Sequence, residues 1–488
     1  MTETKPKFDI TQLFQNEDTT SSSSIETTAN YKTKKSFNFI IFGIGSLLAW
    51  NVIISDIDFF DYFQDEVAPI KPAVIFPFLN FAPNIIFQFI LVKSKKMFTY
   101  KSQIIVTLIL LIICMILLPL VVVIYKPLLS FYISCAIIFI QGLISAINTS
   151  SFFGLISYFK TEYIVLMSTG QGVSGILMNV IKYILIFTIP RNEDENQFYD
   201  PTQKKGYIIE GIIYYSIAVV FLIITLIVLI VSYENENFLK DLKGTDEFDM
   251  IMKHKSKAID IQVDAIPKRP LLIDNSELTD SSMDNTNTRS DIYNNNTNQS
   301  NSNENDSFSF MELIKKLLDV NLLIMFCYIV TFAVFPSALL QPELFDLHKG
   351  LKFVTLITLF NVFDTIGRKI ISLCTPNKKL LYVVTIGRTV LVFLIPFNYY
   401  LECIGVSEVI CGTFLIGNSV LLGLTNGIST SLAFALAPML VEDKYKGKSG
   451  ASVSFFDILG IFIGTLVAFG MNHVMEILSE LKGKNGLL

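Results

Sequence analysis

Apolar runs long enough to cross a bilayer, at about 20 residues each, alternate with short polar loops along most of the 488-residue chain. Eleven spans are predicted, near 37–55, 69–92, 103–125, 129–156, 164–189, 208–232, 318–341, 352–374, 380–399, 408–438 and 449–477. One interval breaks the rhythm. Residues 233–317 contain "DNTNTRSDIYNNNTNQSNSNENDSFS", a stretch too poor in apolar side chains to bury a core. The expectation is an all-α polytopic membrane protein. A cytosolic tail (1–36) leads into a six-helix bundle (37–232), then a disordered Asn/Ser-rich linker (233–317). A five-helix bundle (318–477) and a short extracellular tail (478–488) follow.

Composition agrees. Half the residues are hydrophobic (51%), Phe numbers 41, and 17% are charged, against about 25% in soluble domains. The N-terminal stretch has no apolar run following a basic start, so no cleaved signal peptide is expected. Six cysteines show no C-x-x-C spacing and read as small core residues.

Lysine and arginine set the expected orientation. Lys32, Lys34 and Lys35 precede the first span, Lys93, Lys95, Lys96 and Lys101 follow the second, and Lys160, Arg368, Lys369, Lys378, Lys379 and Lys444 mark loops of the same parity. The opposite loops are acidic or mixed, as in "SDIDFFDYFQDE" and "RNEDENQ". By the positive-inside rule the N-terminus and the linker are cytosolic, and eleven crossings leave the C-terminus extracellular. The sequons at Asn295 and Asn298 then lie in the cytosol. The membrane expected is the plasma membrane, with an intracellular compartment as the alternative that "RPLLI" at 269–273 would suit.

A charged side chain inside a bilayer is a functional candidate because it is expensive there. The eighth span, "TLFNVFDTIGRKII", places Asn361, Asp364 and Arg368 on one helical face, where Asp364 and Arg368 can pair at i, i+4. Two readings stay open: a lining pair, or an ion pair at the helix end. In "MSTGQGVSGILMNVIKY", Gln171 projects an amide among small residues that admit either a ligand or a neighbouring helix. Asn179 and Lys182 lie deeper, and Lys182 can line a path or snorkel outward. The fourth span adds Asn148 and Thr149, the seventh Phe335-Pro336 with an expected kink, the tenth Asn426-Gly427 and the eleventh Asp457. Polar groups from many helices near one depth suit a solvated central cavity. The only tryptophan, Trp50, followed by Asn51, is either a stacking face or an interfacial belt residue.

ATP-binding, metalloprotease and nucleophile-elbow motifs are absent, and the histidines His254, His348 and His473 are scattered. Neither an enzyme nor an ATP-driven pump is expected, and no cofactor or metal. A non-transporting receptor or scaffold that recruits partners through its linker remains the alternative from another class.

"GIGSLLAWNVIISDIDFF" resembles the first span of equilibrative nucleoside transporters, with Ala49 where that family often has proline. "FFGLISYF" with "LMSTGQGVSGI", "VTFAVFPS", "FNVFDTIGRKI", "GRTVLVFLIPF" and "LTNGIST…KGKSGASVSFFDILGIFIG" resemble its later spans. The likeness implies a 6+5, major-facilitator-like arrangement of eleven transmembrane helices. It carries the family's substrate cavity onto Trp50, Asn51, Phe81, Asn84, Phe335, Asn361, Asp364 and Arg368. The aspartate and arginine are then expected to engage ribose hydroxyls and the tryptophan to pack on the cargo. A base-contacting glutamine of the family aligns with Thr149, beside Asn148. The implied function is facilitative transport of nucleosides, purine nucleosides foremost and nucleobases as a second class, by a monomer in a lipid bilayer without nucleic-acid partners. Pairing with a permanent cation would keep Asp364 ionised, which favours uniport. The rival reading is a major-facilitator carrier of another polar solute, against which the loop "KSKKMFTYK" speaks.

Overall fold

A computed structural model of the protein describes residues 23–64, 67–93, 98–189, 201–253, 310–335, 344–345 and 349–485. The regular elements of these segments are all helices: α1 (Ser23–Ser55), α2 (Ile57–Gln64), α3 (Pro72–Lys93), α4 (Tyr100–Ile124), α5 (Pro127–Ile156), α6 (Thr161–Thr188), α7 (Pro201–Glu234) and α8 (Glu236–Asp241). They are followed by α9 (246–253), α10 (Phe310–Val334), α11 (Lys349–Ile370), α12 (Lys378–Gly387), α13 (Val390–Cys403), α14 (Glu408–Leu436) and α15 (Lys446–Asn485).

Among the described residues, nine helices are long and apolar enough to cross a membrane. Two expected spans fall short of that standard. The apolar part of α3, Ile75–Leu91, is shorter and contains Pro77 and Pro83, while α11 is interrupted by Asn361, Asp364 and Arg368.

The packing repeats itself. In the first half α1 lies along α6 and α3 against α5; in the second, α10 lies along α15 and α11 against α14. Glycine sets the close approach in both. A Cβ on Gly170 of α6 would strike the carbonyl of Ile40 on α1, and one on Gly460 of α15 would strike the carbonyl of Met325 on α10. The halves meet where α6 touches α11, and where α3 and α5 touch α15.

Several expectations are corrected. The acidic stretch read as a loop folds as α2, which buries Ile57, Phe59, Phe60 and Gln64. Part of the segment read as disordered is ordered: residues 233–253 form the end of α7, α8 and α9. Phe238 packs against Phe39, Phe159 and Tyr233. Glu247 accepts from the backbone N–H of Tyr100 (3.0 Å) and Lys101 (3.3 Å), placing a carboxylate at the positive end of α4. Lys35, read as part of the cytosolic tail, is buried and pairs with Asp241 at 2.5 Å. α1 begins at Ser23 inside that tail, and α15 runs to Asn485, past the expected end at 477. The ninth span is two helices, divided at Arg388 and Thr389. Residues 254–309, with both sequons and "RPLLI", and Pro336 with its expected kink lie outside the described residues.

Candidate substrate cavity

The halves enclose a cavity of about 200 Å³ walled by α1, α3, α5, α6, α10, α11, α14 and α15. Helical periodicity brings α11 to it: Ile357, Asn361, Asp364 and Arg368 recur every three or four residues, and with Phe360 beside them all line the wall. The expected pair forms. Arg368 Nε donates to Asp364 Oδ2 at 2.7 Å, and both side chains are buried. Asn426 of α14 donates to the other carboxylate oxygen at 2.8 Å. Helix α14 comes this close because Gly423 and Gly427 face the α11 backbone, where a Cβ on Gly427 would collide with the carbonyl of Asp364.

The guanidinium also reaches across the halves. Its Nη1 donates to Ser168 Oγ (2.9 Å), the Ser168 carbonyl (3.1 Å) and Gln171 Oε1 (3.2 Å), all on α6. Gln171 in turn donates to Ser46 Oγ on α1 at 3.1 Å. Behind the wall, Arg388 donates to Thr331 Oγ1 (2.8 Å), the Leu422 carbonyl (3.2 Å), Asn426 Oδ1 (3.3 Å) and Cys327 Sγ.

The apolar wall is aromatic. Trp50 meets Phe81 edge to face, centroids 4.8 Å apart, Phe81 meets Phe332 at 6.2 Å, and Phe335 stacks on Phe360 at 4.3 Å. Asn51 donates to Ser174 Oγ at 2.6 Å, and Asn84 accepts from Gln88 at 3.0 Å. Trp50, Asn51, Phe81, Asn84, Thr149, Gln171, Phe335, Asn361, Asp364 and Arg368 all line the cavity. Outside the lining, Phe153 of α5 stacks on Phe434 of α14, centroids 3.7 Å apart, and links the halves.

Two candidates are corrected. Asn148 is not part of the lining; it is fully buried and accepts from Thr107 of α4 at 3.1 Å. Lys182 neither lines the cavity nor snorkels. It is fully buried against Asp56, Asp58 (2.7 Å) and Glu210 (3.0 Å), a cluster that ties the α1–α2 junction to α6 and α7. Sequence reasoning missed Asn80, Tyr328 and Phe332 and placed Asn426 and Asp457 only among the polar groups of a central cavity, without naming either as a cargo contact; all five line the cavity. Asn80 lies one turn before Asn84, which was a readable signal; Tyr328 and Phe332 sit in an apolar run with none.

A cavity walled by paired helices from both halves belongs to a membrane carrier. The solved proton:xylose symporter XylE of the major facilitator superfamily, bound to 6-bromo-6-deoxy-D-glucose, has this fold. The match has a TM-score of 0.59 and covers 94% of this chain and 95% of that one at 10% identity. The family model described as "Nucleoside transporter" matches residues 134–473, and the chain belongs to that family, one of transporters and not of enzymes. Its relatives include "Equilibrative nucleotide transporter 1" of Arabidopsis thaliana, 21% identical over 449 residues, covering 89% of this chain and 85% of that protein. "Equilibrative nucleoside transporter 3" of Rattus norvegicus is 26% identical over 175 residues, 33% of this chain and 36% of that protein.

Proposed function

We propose that this protein carries nucleosides across a membrane, purine nucleosides foremost and nucleobases as a second class, by alternating access between the 1–232 and 318–488 halves. The observation that carries the reading is the placement of Arg368. One guanidinium holds Asp364 in the cavity wall and bonds to Ser168 and Gln171 of the opposite half. Cargo that engages the pair therefore perturbs the contact between halves, which is what alternation requires.

The pair suits a vicinal diol, since a carboxylate accepts from hydroxyls and a guanidinium donates to them. Trp50 and Phe81 offer apolar faces for a base, and such stacking contributes about 1–3 kcal/mol. Thr149, with one hydroxyl, leaves base selection to the amides of Gln171, Asn84 and Asn80. The eleven-span, 6+5 arrangement, a cytosolic N-terminus, an extracellular C-terminus, a plasma-membrane location and a monomeric state belong to the same proposal. With no ATP-binding motif in the sequence, net flux follows the gradient of the cargo or of protons.

Uptake of radiolabelled adenosine, inosine and hypoxanthine, in cells lacking other carriers for them, tests the proposal. Saturable uptake of the nucleosides is expected; uptake of none of the three overturns it.

A further inference from the structure

A second carboxylate faces the cavity, and nothing above assigns it a role. Asp457 of α15 is part of the lining and only 8% exposed. Its Oδ1 has no hydrogen-bond partner, and no ion pair involves it among the described residues. The contrast with Asp364 is sharp. That carboxylate has a guanidinium on one oxygen and an amide on the other. Asp457 has neither.

The charged and titratable groups around it are few. Helix α11 contributes Asp364 and Arg368 and α10 contributes Tyr328 and Cys327. Arg388 lies behind Cys327, bonded to neutral acceptors. Helices α1, α3, α5 and α6 bring no titratable side chain to the lining among the described residues. Among the described residues the one cation in the wall, Arg368, already serves Asp364, Ser168 and Gln171. With both aspartates ionised, the wall carries one negative charge more than positive.

An unpaired carboxylate can stay ionised while water fills the cavity. When cargo displaces that water and the halves close, the charge is left in a low-dielectric wall without a partner, which disfavours the closed, loaded form. A proton on Asp457 removes that cost and turns an acceptor into a group that also donates. We propose that Asp457 is a proton-binding residue and that cargo crosses together with a proton. The proton comes from water on the loading side, bonds to a carboxylate oxygen, and returns to water on the other side, with no other bond made or broken. Cargo and proton then favour each other's binding by the same factor, because linkage is reciprocal. The uniport expected from the sequence considered Asp364 alone.

This inference rests on the nucleoside reading of the cavity. Its test uses the full chain in proteoliposomes, with [³H]adenosine and an internal pH dye. With the outside made more acidic by one pH unit, wild type should accumulate adenosine above the outside concentration. The limit is about tenfold for one proton per cargo, and adenosine addition should acidify the lumen. Asp457→Asn should bring adenosine to equal concentrations and no further, without proton uptake. Asp457→Glu, which keeps a titratable carboxyl, should restore accumulation, an outcome that misfolding of the Asn variant would not explain. Wild type that only equilibrates adenosine, or an Asn variant that still accumulates it, overturns the inference and leaves the carrier reading standing. No adenosine entry at any pH overturns both.

Discussion

Arg368 of α11 donates to the hydroxyl of Ser168 on α6, 2.9 Å away, and so joins the two halves through the residue that pairs with Asp364. Ser431 of α14 donates to the same hydroxyl at 3.0 Å. Three helices converge on one serine, which makes its neighbourhood a tie between halves whose strength sets how readily they part.

Ser168→Ala removes the hydroxyl and leaves the carbonyl as an acceptor for Arg368. A hydrogen bond of this kind contributes about 1 kcal/mol, with more for a charged donor, so the equilibrium between the forms open to one membrane face and to the other should shift roughly fivefold. The ratio of adenosine affinities measured from the two membrane faces reads this directly. An unchanged ratio would show that the tie does not govern alternation.

The aromatic wall should set affinity. Trp50→Ala removes a stacking face worth about 1–3 kcal/mol, and KM for adenosine should rise by about tenfold or more. Trp50→Phe keeps an apolar ring against Phe81 and should recover most of the loss. If Trp50→Ala leaves KM unaltered while lowering surface abundance, the indole is a belt residue.

Lys182 should govern stability and not selectivity. Lys182→Met leaves Asp56, Asp58 and Glu210 without the cation they share, and breaking a buried ion pair costs about 3–5 kcal/mol. Folded protein recovered by size-exclusion chromatography should drop severely. Whatever reaches the membrane should keep the wild-type ranking of cargoes; a changed ranking would return Lys182 to the cargo path.

Gly427→Ala should push α14 off α11, because the added methyl meets the Asp364 carbonyl and lies 2.8 Å from the Arg368 amide nitrogen. Overpacking of this sort costs about 1–3 kcal/mol, so melting temperature and uptake should both fall. Gly417→Ala meets nothing within 4 Å and should leave both at wild-type levels. Equal behaviour of the two variants would mean that the close approach of α11 and α14 is dispensable.

Where polar residues stood against an apolar background, the sequence was legible. Asn361, Asp364 and Arg368 share a face that any regular helix would give them, and they line the cavity with Asp364 and Arg368 paired. Asn148 was not readable, because "NTSS" at 148–151 is polar on every side and offers no apolar contrast to fix the helix rotation. Thr149 turns to the cavity and Asn148 to Thr107. The partners of Lys182 come from the junction of α1 and α2, from α2 and from α7, a meeting that only tertiary packing reveals. Helices α8 and α9 were hidden because the Asn-rich stretch dominates the average of 233–317, although Phe238 and Phe248 are apolar anchors within it.

The central claim is that the Asp364–Arg368 pair reads the sugar of a nucleoside. Parallel uptake of adenosine and adenine by wild type and Asp364→Asn, each normalised to surface protein, tests it most directly. Wild type should take up both, and the variant should lose at least tenfold more adenosine than adenine transport, since only adenosine carries the diol. Equal losses for both cargoes at normal surface abundance would make the pair a structural or gating ion bridge and contradict the account.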